Sequence, residues 1–532
     1  MLSDAAKKLI QQLQVSDIKE YYQIDTSPKV KVDDFVGKLS FIYEKIRNAI
    51  DYREDHLLRK AAIFRILQRR LTIKINIEDI ASALVKEIIR AGYLENDFLP
   101  ESKIQEVDKI INKYLTLFNF SRLKDSSVEG KNLFKWLIDL AACEIEECLM
   151  PPLADRALSE FAFKVLRPAV NIEGNGLSPE QKDLYVYLAI YQALVKSDNA
   201  MVDLFILRYF YPSWKKATAE DVLPLAQKIG NFRNKIYSYR QAPLNDLLTK
   251  SFKKYAFVFS VVRDVIMEDP AEAQKILDSP ERFEKLIIKT CDSWYKRVKV
   301  KLRRSIWRVI LYLFLTKMLL AIFLELPYDR YIAGEVLMFP LIVNILLPPF
   351  IMFVLALFIK VPSKKNTAEV VHSAKEAVYT GIFAAPGRWQ NFNPHHSKVL
   401  VGVFHFFYFV LFSFSFGGLI YCLSRIGFNI FSIAVFLIFL SLVSFFGIKL
   451  RSKVRSLQII DRKDNPLVFI INLLALPFLK AGQWMSQKFS KINVFVFFFD
   501  FIIEAPFKVF VEVVEEWVGF LREKKEEIYN QE

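Results

Sequence analysis

A lysine lies in the middle of one of the most apolar stretches of the 532-residue sequence. Lys317 interrupts a segment, Ile306 to Pro327, that has the roughly 20 apolar residues a helix needs to cross a bilayer. A charged group inside hydrocarbon is costly, so such residues either hold helices together or line the pathway of an ion or solute. Lys317 is therefore the first candidate for chemistry in this chain.

Glu325 is the nearest acidic residue within the same segment. On a regular α-helix, its separation from Lys317 places the two side chains about 80° apart around the axis and about 12 Å apart along it. The sequence therefore predicts that Lys317 and Glu325 do not pair directly, and that the lysine finds its partner elsewhere.

The next apolar segment, Val336 to Ile359, offers that partner. If the two segments form a hairpin, Asn344 lies at about the depth of Lys317. Two prolines follow it, and because proline has no amide hydrogen, the carbonyls four residues earlier lose their helical donors. We expect an intramembrane polar cluster of Lys317, Asn344, Pro348 and Pro349, with Glu325 near the far boundary of the bilayer.

Two roles fit such a cluster. It could be a structural staple that locks a kinked hairpin, because it would satisfy a charge, an amide and free carbonyls together. Alternatively, it could line a substrate or ion pathway, as broken helices with intramembrane charges do in transporters. The sequence leaves both roles open.

Other candidate sites are weaker. Glu369 and His372 form one E-x-x-H pair with Glu376 on the same helical face, but a di-metal carboxylate site needs two such pairs and two further carboxylates. We interpret this segment as a solvated amphipathic helix. The histidines at positions 395, 396 and 405 flank an apolar segment, where headgroup contact and packing explain them without a metal.

The string CEIEEC gathers thiols and carboxylates, but Cys143 and Cys148 would lie about 140° apart on a helix, which is poor for a shared ligand. We interpret these residues as core cysteines beside solvated glutamates. Phosphate-binding, dinucleotide-binding and nucleophile-elbow motifs are absent from the sequence. The sequence therefore predicts no catalytic residue, no metal and no cofactor, and favours a protein that is not an enzyme.

The composition divides the chain in two. Hydrophobic residues make up 53% of it and charged residues 25%, but the two classes are mixed at helical spacing only up to about Arg304. We expect an all-α fold in which residues 1–300 form a cytosolic, all-helical region, with a possible subdivision near 171–180. Residues 301–450 would form a polytopic membrane domain, followed at 451–532 by amphipathic C-terminal helices.

Four segments are long and apolar enough to cross a bilayer. They are 306–327, 336–359, 399–424 and 430–448. The loop at 360–398 is rich in lysine and arginine, whereas the loops on the other side carry little charge, so the positive-inside rule places this loop and both termini in the cytosol. No secretory signal pattern is visible at the start of the sequence. The expected location is the plasma (inner) membrane.

The C-terminal part does not predict a clear crossing. The apolar run that begins at Pro466 is short and is typical of an interfacial or re-entrant helix. Further on, polar residues recur every four positions and would form one stripe on an apolar helix at the cytosolic face. The stripe consists of Asp500, Glu504, Lys508, Glu512 and Glu516. A fifth crossing in this part stays possible from the sequence.

The formal net charge of +15 raises nucleic acid or anionic lipid as partners. The densest basic runs lie beside the apolar segments, which favours anionic headgroups over nucleic acid. They contain Lys299, Lys301, Arg303, Arg304, Lys449, Arg451, Lys453 and Arg455. We therefore expect a membrane-anchored helical interaction or scaffold protein that binds a protein partner through its cytosolic region, and that could form homo-oligomers. The alternative is a channel or transporter with its pathway at the first hairpin.

Overall fold

The computed structural model describes most of the chain. The described residues are 2–16, 18–23, 27–33, 41, 44, 54–73, 80–123, 128–172, 176–334, 337–357, 359, 361–362, 364–383, 398–460, 466–491, 513, 517 and 520. Within these ranges the fold is all-α, as predicted, and an isolated bridge pairs Lys29 with Pro100.

The N-terminal region is a stack of mostly short helices. They are α1 (Asp4–Gln14), α2 (Ile18–Gln23), α3 (Asp55–Ile73), α4 (Ile80–Arg90), α5 (Ser102–Asn119), α6 (Glu129–Leu149), α7 (Leu153–Leu166), α8 (Pro179–Val195), α9 (Asn199–Phe210), α10 (Leu223–Ala226), α11 (Ile229–Arg240), α12 (Pro243–Lys253), α13 (Ala256–Glu268) and α14 (Ala273–Asp278).

The described residues of the second half form longer helices and three π-helical turns. The helices are α15 (Pro280–Leu320), α16 (Leu326–Tyr328), α17 (Met338–Leu357), α18 (Lys364–Lys375), α19 (Lys398–Arg425), α20 (Ile430–Arg455) and α21 (Pro466–Lys491). The π-helical turns are Ala321–Glu325, Asp329–Ala333 and Glu376–Thr380.

Local sequence sets where α8 begins. The Ser178 hydroxyl accepts a hydrogen bond from the amide of Gln181, and the Gln181 side chain accepts one from the amide of Ser178. This reciprocal capping box satisfies two amides that a helix start otherwise leaves without partners. Pro179 follows in the first turn, where its fixed φ favours helix and its missing amide hydrogen costs nothing.

Two hydrophobic cores fill the N-terminal region. Core A is built by α1, α7, α8 and α12 to α15, and core B by α3 to α6 and α8 to α11. Helix α8 belongs to both, because Val186 packs into core A and Leu188 into core B. The helix that follows the predicted break at 171–180 therefore joins the two cores.

Two of the three glutamates of the CEIEEC string, Glu144 and Glu146, are buried, so their interpretation as solvated residues is wrong. Glu144 accepts hydrogen bonds from the Lys113 ammonium at 2.6 Å, the Tyr114 hydroxyl at 2.7 Å and the Trp214 indole at 3.0 Å. Glu146 pairs with Arg59 at 2.7 Å. Burial of a carboxylate is tolerated here because donors from distant helices surround it.

Helix α15 joins the N-terminal region to the membrane bundle. Its first turns place Phe283, Ile287 and Cys291 in core A, whereas Leu302 and Leu313 pack in a separate cluster with α17 and α20. The helix is continuous from Pro280 to Leu320, and the sequence has no proline or glycine between these residues that would break it. A continuous helix resists bending, so it fixes the direction in which the two parts meet.

The loop between α17 and α19 returns to core A. Helix α18 buries Val370 and Ala374 there, while Glu369 and His372 are exposed, so the helix is amphipathic as expected and its apolar face packs in core A. Near the start of the chain, the amide of Ser3 donates to the carbonyl of Val378 at 3.0 Å. Core A is thus assembled from both halves of the sequence.

Asn366 is the polar centre of this junction and is 3% exposed. Its amide nitrogen donates to the Tyr295 hydroxyl at 3.0 Å and to the Leu457 carbonyl at 2.8 Å, and its oxygen accepts from the amide of Ile459 at 2.8 Å. One side chain therefore joins α15, α18 and the segment that follows α20.

The structure has four helices long and apolar enough to cross a membrane within its described residues. They lie in Pro280–Ile332, Met338–Leu357, Gly402–Arg425 and Ile430–Ser452, in agreement with the four predicted segments. Helix α21, which is 26 residues long, is not among them, but it packs against α20. A methyl group on Gly482 would lie 2.1 Å from the Ser441 carbonyl oxygen, so these two backbones touch only because residue 482 is glycine.

Replacement of Asn366 by alanine tests the junction. We expect Asn366→Ala to cost about 2–4 kcal/mol, because the Leu457 carbonyl and the Ile459 amide lose their buried partner. Amide hydrogen exchange in α18, measured on the full chain in detergent, should accelerate by at least about 30-fold. Asn199→Ala, at an exposed position, is the control. Unchanged protection of α18 in Asn366→Ala would contradict this role.

Glu146 gives the fold a pH dependence. Burial raises the pKa of its carboxyl from 4.5 to about 7, so between these values the folded chain holds a proton that the unfolded chain releases. The contribution of Glu146 to the free energy of unfolding is therefore largest below about pH 4.5, and it falls by about 3 kcal/mol as the pH rises to about 7.

The side chain of Glu146→Gln cannot ionise. In this variant the free energy of unfolding of core B, measured by denaturant between pH 5 and pH 8, should lose this slope against pH. The exposed Glu220 provides the matched control, since Glu220→Gln should keep the wild-type slope. Equal slopes in Glu146→Gln and the wild type would show that Glu146 does not carry the effect.

Candidate functional site

The intramembrane cluster forms where α15, the first π-helical turn and α17 meet. Lys317 lies one turn before the end of α15, Glu325 ends the π-helical turn Ala321–Glu325, and Asn344 lies in the first half of α17. All three side chains have 0% exposure. The structure thus encloses one cation, one anion and one amide between apolar helices.

The Glu325 carboxylate is the centre of the cluster. Its Oε1 accepts a hydrogen bond from the Lys317 ammonium at 2.5 Å, and its Oε2 accepts one from Nδ2 of Asn344 at 2.6 Å. The ring of Phe439, from α20, lies 5.2 Å from the ammonium and faces the cation. Three helices of the bundle therefore meet at one neutral charge pair.

The prediction that Lys317 and Glu325 cannot pair directly is wrong, because it assumed a regular α-helix. A π-helical turn contains one residue more than an α-helical turn. Because of this extra residue, Glu325 lies where a residue seven positions after Lys317 would lie on a regular α-helix. The two side chains are therefore about 20° apart around the helix axis instead of about 80°. The remaining two turns are spanned by the long lysine side chain.

Pro327 is the sequence signal that could have revealed this irregularity. A proline within a helix clashes with the carbonyl four residues earlier, here that of Phe323, and kinks arise at prolines and at π-bulges. Phe323 lies within the π-helical turn. A local departure from α-helical geometry just before Pro327 was therefore predictable, although its rotational effect on Glu325 was not.

The two prolines of α17 face the interior of the bundle. Leu341, Asn344, Pro348 and Met352 are buried and follow one another at helical spacing, so they form the inward face of the helix. We expected the carbonyls freed by the prolines to bind the Lys317 ammonium. In the described part of the chain its hydrogen bond goes to Glu325 instead.

One atom of the cluster lacks a partner. Oδ1 of Asn344 is buried and receives no hydrogen bond from any described residue. A buried acceptor without a donor is destabilising. The cluster therefore derives its stability from the ion pair and the Nδ2 bond, which balance charge and hold α17 against α15.

A second polar contact, not anticipated from the sequence, lies at the end of the bundle away from core A. The side-chain amide of Asn429 donates to the Asp329 carboxylate at 2.5 Å, while its oxygen caps α20 by accepting from the amide of Ser432 at 2.7 Å. The rings of Tyr328 and Phe431 stack beside it at 4.9 Å. The loop of the first hairpin is thus attached to the start of α20.

The basic residues predicted to contact lipid headgroups lie on two helices. Four are exposed on α15, between its core A part and its apolar part, and three are exposed near the end of α20. The first group is Lys299, Lys301, Arg303 and Arg304, and the second is Lys449, Arg451 and Arg455. The side chain of Lys453 lies outside the described residues, as do Asp500, Glu504, Lys508, Glu512 and Glu516 of the predicted C-terminal stripe.

A large cleft opens between core A and the end of α20, and we name it the junction cleft. It has a volume of about 1250 Å³ and is walled by α8, α12, α13, α15 and α20. Five basic side chains and one acidic side chain line it, together with several hydroxyl groups. The charged ones are Lys196, Lys250, Lys253, Lys254, Arg455 and Asp246. Lys196 pairs with Glu54, and the remaining basic side chains give the cleft a positive electrostatic potential that favours an anionic ligand.

Substitutions that neutralise one or both charges test the cluster. Lys317→Met leaves the Glu325 carboxylate buried without its cation, so we expect a loss of about 3–5 kcal/mol. Lys317→Met combined with Glu325→Met removes both charges and should be close to wild type or more stable. Asn344→Leu keeps the ion pair and should cost only about 1–2 kcal/mol.

Thermal unfolding of the full chain in dodecyl maltoside would rank the stabilities of these variants. The double variant is the decisive measurement. If it is as unstable as Lys317→Met alone, the two side chains are not coupled and the geometry described above does not govern stability.

Comparison with known proteins identifies no relative: no protein-family model, no curated protein and no solved structure matches the chain significantly.

Proposed function

We propose that this chain is a membrane-anchored interaction protein that presents a helical region to a protein partner at the cytosolic face of the plasma (inner) membrane. The observation that carries the proposal is the construction of core A from both halves of the sequence. Side chains of α18, of the segment after α20 and of α15 complete a core that α1, α7, α8, α12 and α13 begin.

A protein that only tethers a domain to a membrane can do so through a flexible linker, whose ends move independently. Here three segments connect the membrane bundle to core A: α15, α18 and the segment that contains Leu457 and Ile459. Asn366 joins all three by hydrogen bonds. Such a connection holds the helical region at a set distance and orientation, which is what a docking platform for a partner needs.

The junction cleft supplies the chemistry for the partner. Lys250, Lys253 and Arg455 are exposed at its surface, and they outnumber Asp246, the one acidic side chain among its described lining residues. Opposite charge steers a partner towards a surface and fixes its register. We therefore infer that the partner inserts an acidic segment, and that the serine and threonine hydroxyls of the cleft bind its backbone.

A photo-crosslinking residue at Ser251, which lines the cleft, tests this proposal in cells that express the full chain. We expect one discrete adduct, lost with Lys250→Glu and Lys253→Glu. The adduct should persist with Lys131→Glu and Lys135→Glu, which reverse the charge of two exposed lysines on α6 far from the cleft. No adduct, or an adduct that is insensitive to both pairs of substitutions, would refute the acidic partner.

The sequence also left open a channel or transporter, and the enclosed charge pair is the feature on which that function would depend. Lys317 and Glu325 neutralise one another at 0% exposure, which favours the structural role. Proton and potassium flux into proteoliposomes decides between the two. We expect the Lys317→Met/Glu325→Met variant to match the wild type, whereas a wild-type flux abolished in a stably folded double variant would establish the pathway.

A further inference from the structure

We propose that a cleft between α15 and the end of α17 binds one molecule of an anionic phospholipid. We name it the headgroup cleft, and its volume is about 670 Å³. Its lining divides into a basic part on α15 and an apolar part shared by the two helices. The lining residues are Asp292, Tyr295, Lys296, Lys299, Leu302, Arg303, Ile306, Trp307, Ala356, Ile359 and Val361.

The position of the cleft along α15 fits a lipid headgroup. Tyr295, at one end, belongs to core A, and after Arg308 the helix carries only apolar and weakly polar residues up to Lys317. At 1.5 Å per residue, Arg303 lies about 6 Å and Lys299 about 12 Å from Trp307 towards core A. Trp307 is 58% exposed and lies where tryptophan is enriched, at the boundary of hydrocarbon and water. Arg303 and Lys299 are thus at the depth of lipid phosphates.

The three basic residues of the cleft share one face of α15. At 100° per residue, Lys296, Lys299 and Arg303 fall within about 60° of one another. All three are exposed, and no described carboxylate forms an ion pair with any of them. Asp292 lies at the end of the cleft nearest core A, which leaves an excess of two positive charges. The cleft therefore offers an arginine fork and two ammonium groups to a phosphate.

The apolar part gives the cleft its shape for a lipid. Leu302 and Ile306 on α15 face Ala356, near the end of α17, and Ile359, just beyond it, and the small side chain of Ala356 leaves the space open. This wall continues from the basic residues towards the hydrocarbon. A free phosphate or a soluble anion would leave it uncovered, whereas the glycerol backbone and first methylenes of a phospholipid would cover it.

The lipid proposal is independent of the protein partner, because the headgroup cleft and the junction cleft lie on different walls of α15 and are lined by different residues. Bound lipid would occupy the gap where α15 and α17 separate. It would thereby stabilise the same junction that α18 and Asn366 hold from the side of core A.

Native mass spectrometry of the full chain, released from neutral detergent with added phosphatidylglycerol or phosphatidylcholine, tests the proposal. We expect one phosphatidylglycerol per chain to be retained in preference to phosphatidylcholine. Lys299→Gln with Arg303→Gln should weaken retention about 30-fold, from the usual contribution of two basic residues near an anionic surface. Arg297→Gln with Arg308→Gln removes equal charge from the opposite side of α15 and should retain the lipid.

A second variant separates a shaped site from diffuse attraction. Ala356→Phe fills the apolar part while keeping every charge, so it should also abolish retention of phosphatidylglycerol. Equal weakening by both double variants, retention in Ala356→Phe, or equal retention of phosphatidylcholine would overturn the proposal. The melting temperature of each variant without added lipid confirms that it is folded.

Discussion

The membrane half depends on one constraint: a lysine ammonium in hydrocarbon needs an anion within reach. Glu325 supplies it from the same stretch of chain, and only because a π-helical turn rotates the carboxylate onto the lysine's side of the helix. The second carboxylate oxygen then holds Asn344 and with it α17, and Phe439 of α20 covers the charge. The π-helical turn that follows α15 thus sets the register of α17 and α20, whose other residues at this depth are almost all apolar.

The same helix transmits that order to the N-terminal region. Because α15 is continuous from Pro280 to Leu320, the position of Lys317 in the bundle and the position of Phe283 in core A are not independent. The hydrogen bonds of Asn366 also hold α15, α18 and the segment after α20 together. Buried amides at such points contribute specificity as well as stability, since an alternative arrangement would leave their partners without hydrogen bonds.

Much of this architecture could be predicted from periodicity and length. The all-α fold, the four apolar helices and the unbroken α15 follow from local patterns that a sequence displays directly. The burial of Glu144 and Glu146 could not be predicted, because their partners Lys113 and Arg59 come from helices distant in sequence. The burial of α18 has the same cause, since its weakly amphipathic pattern acquires an inward side only against core A. The Lys317–Glu325 pair was missed for a different reason: regular helical geometry was applied across a proline-adjacent irregularity.

The bond between Ser3 and Val378 has a consequence for how the protein is made. A ribosome releases the helices of core A long before it has synthesised α18, and two apolar helices must enter the bilayer in between. Until then core A lacks Val370, Ala374 and Val378, and its apolar surface stays open. Completion of the N-terminal region is thereby coupled to membrane insertion, so a chain that fails to insert its first hairpin also fails to close its core and exposes the surface that chaperones and proteases recognise.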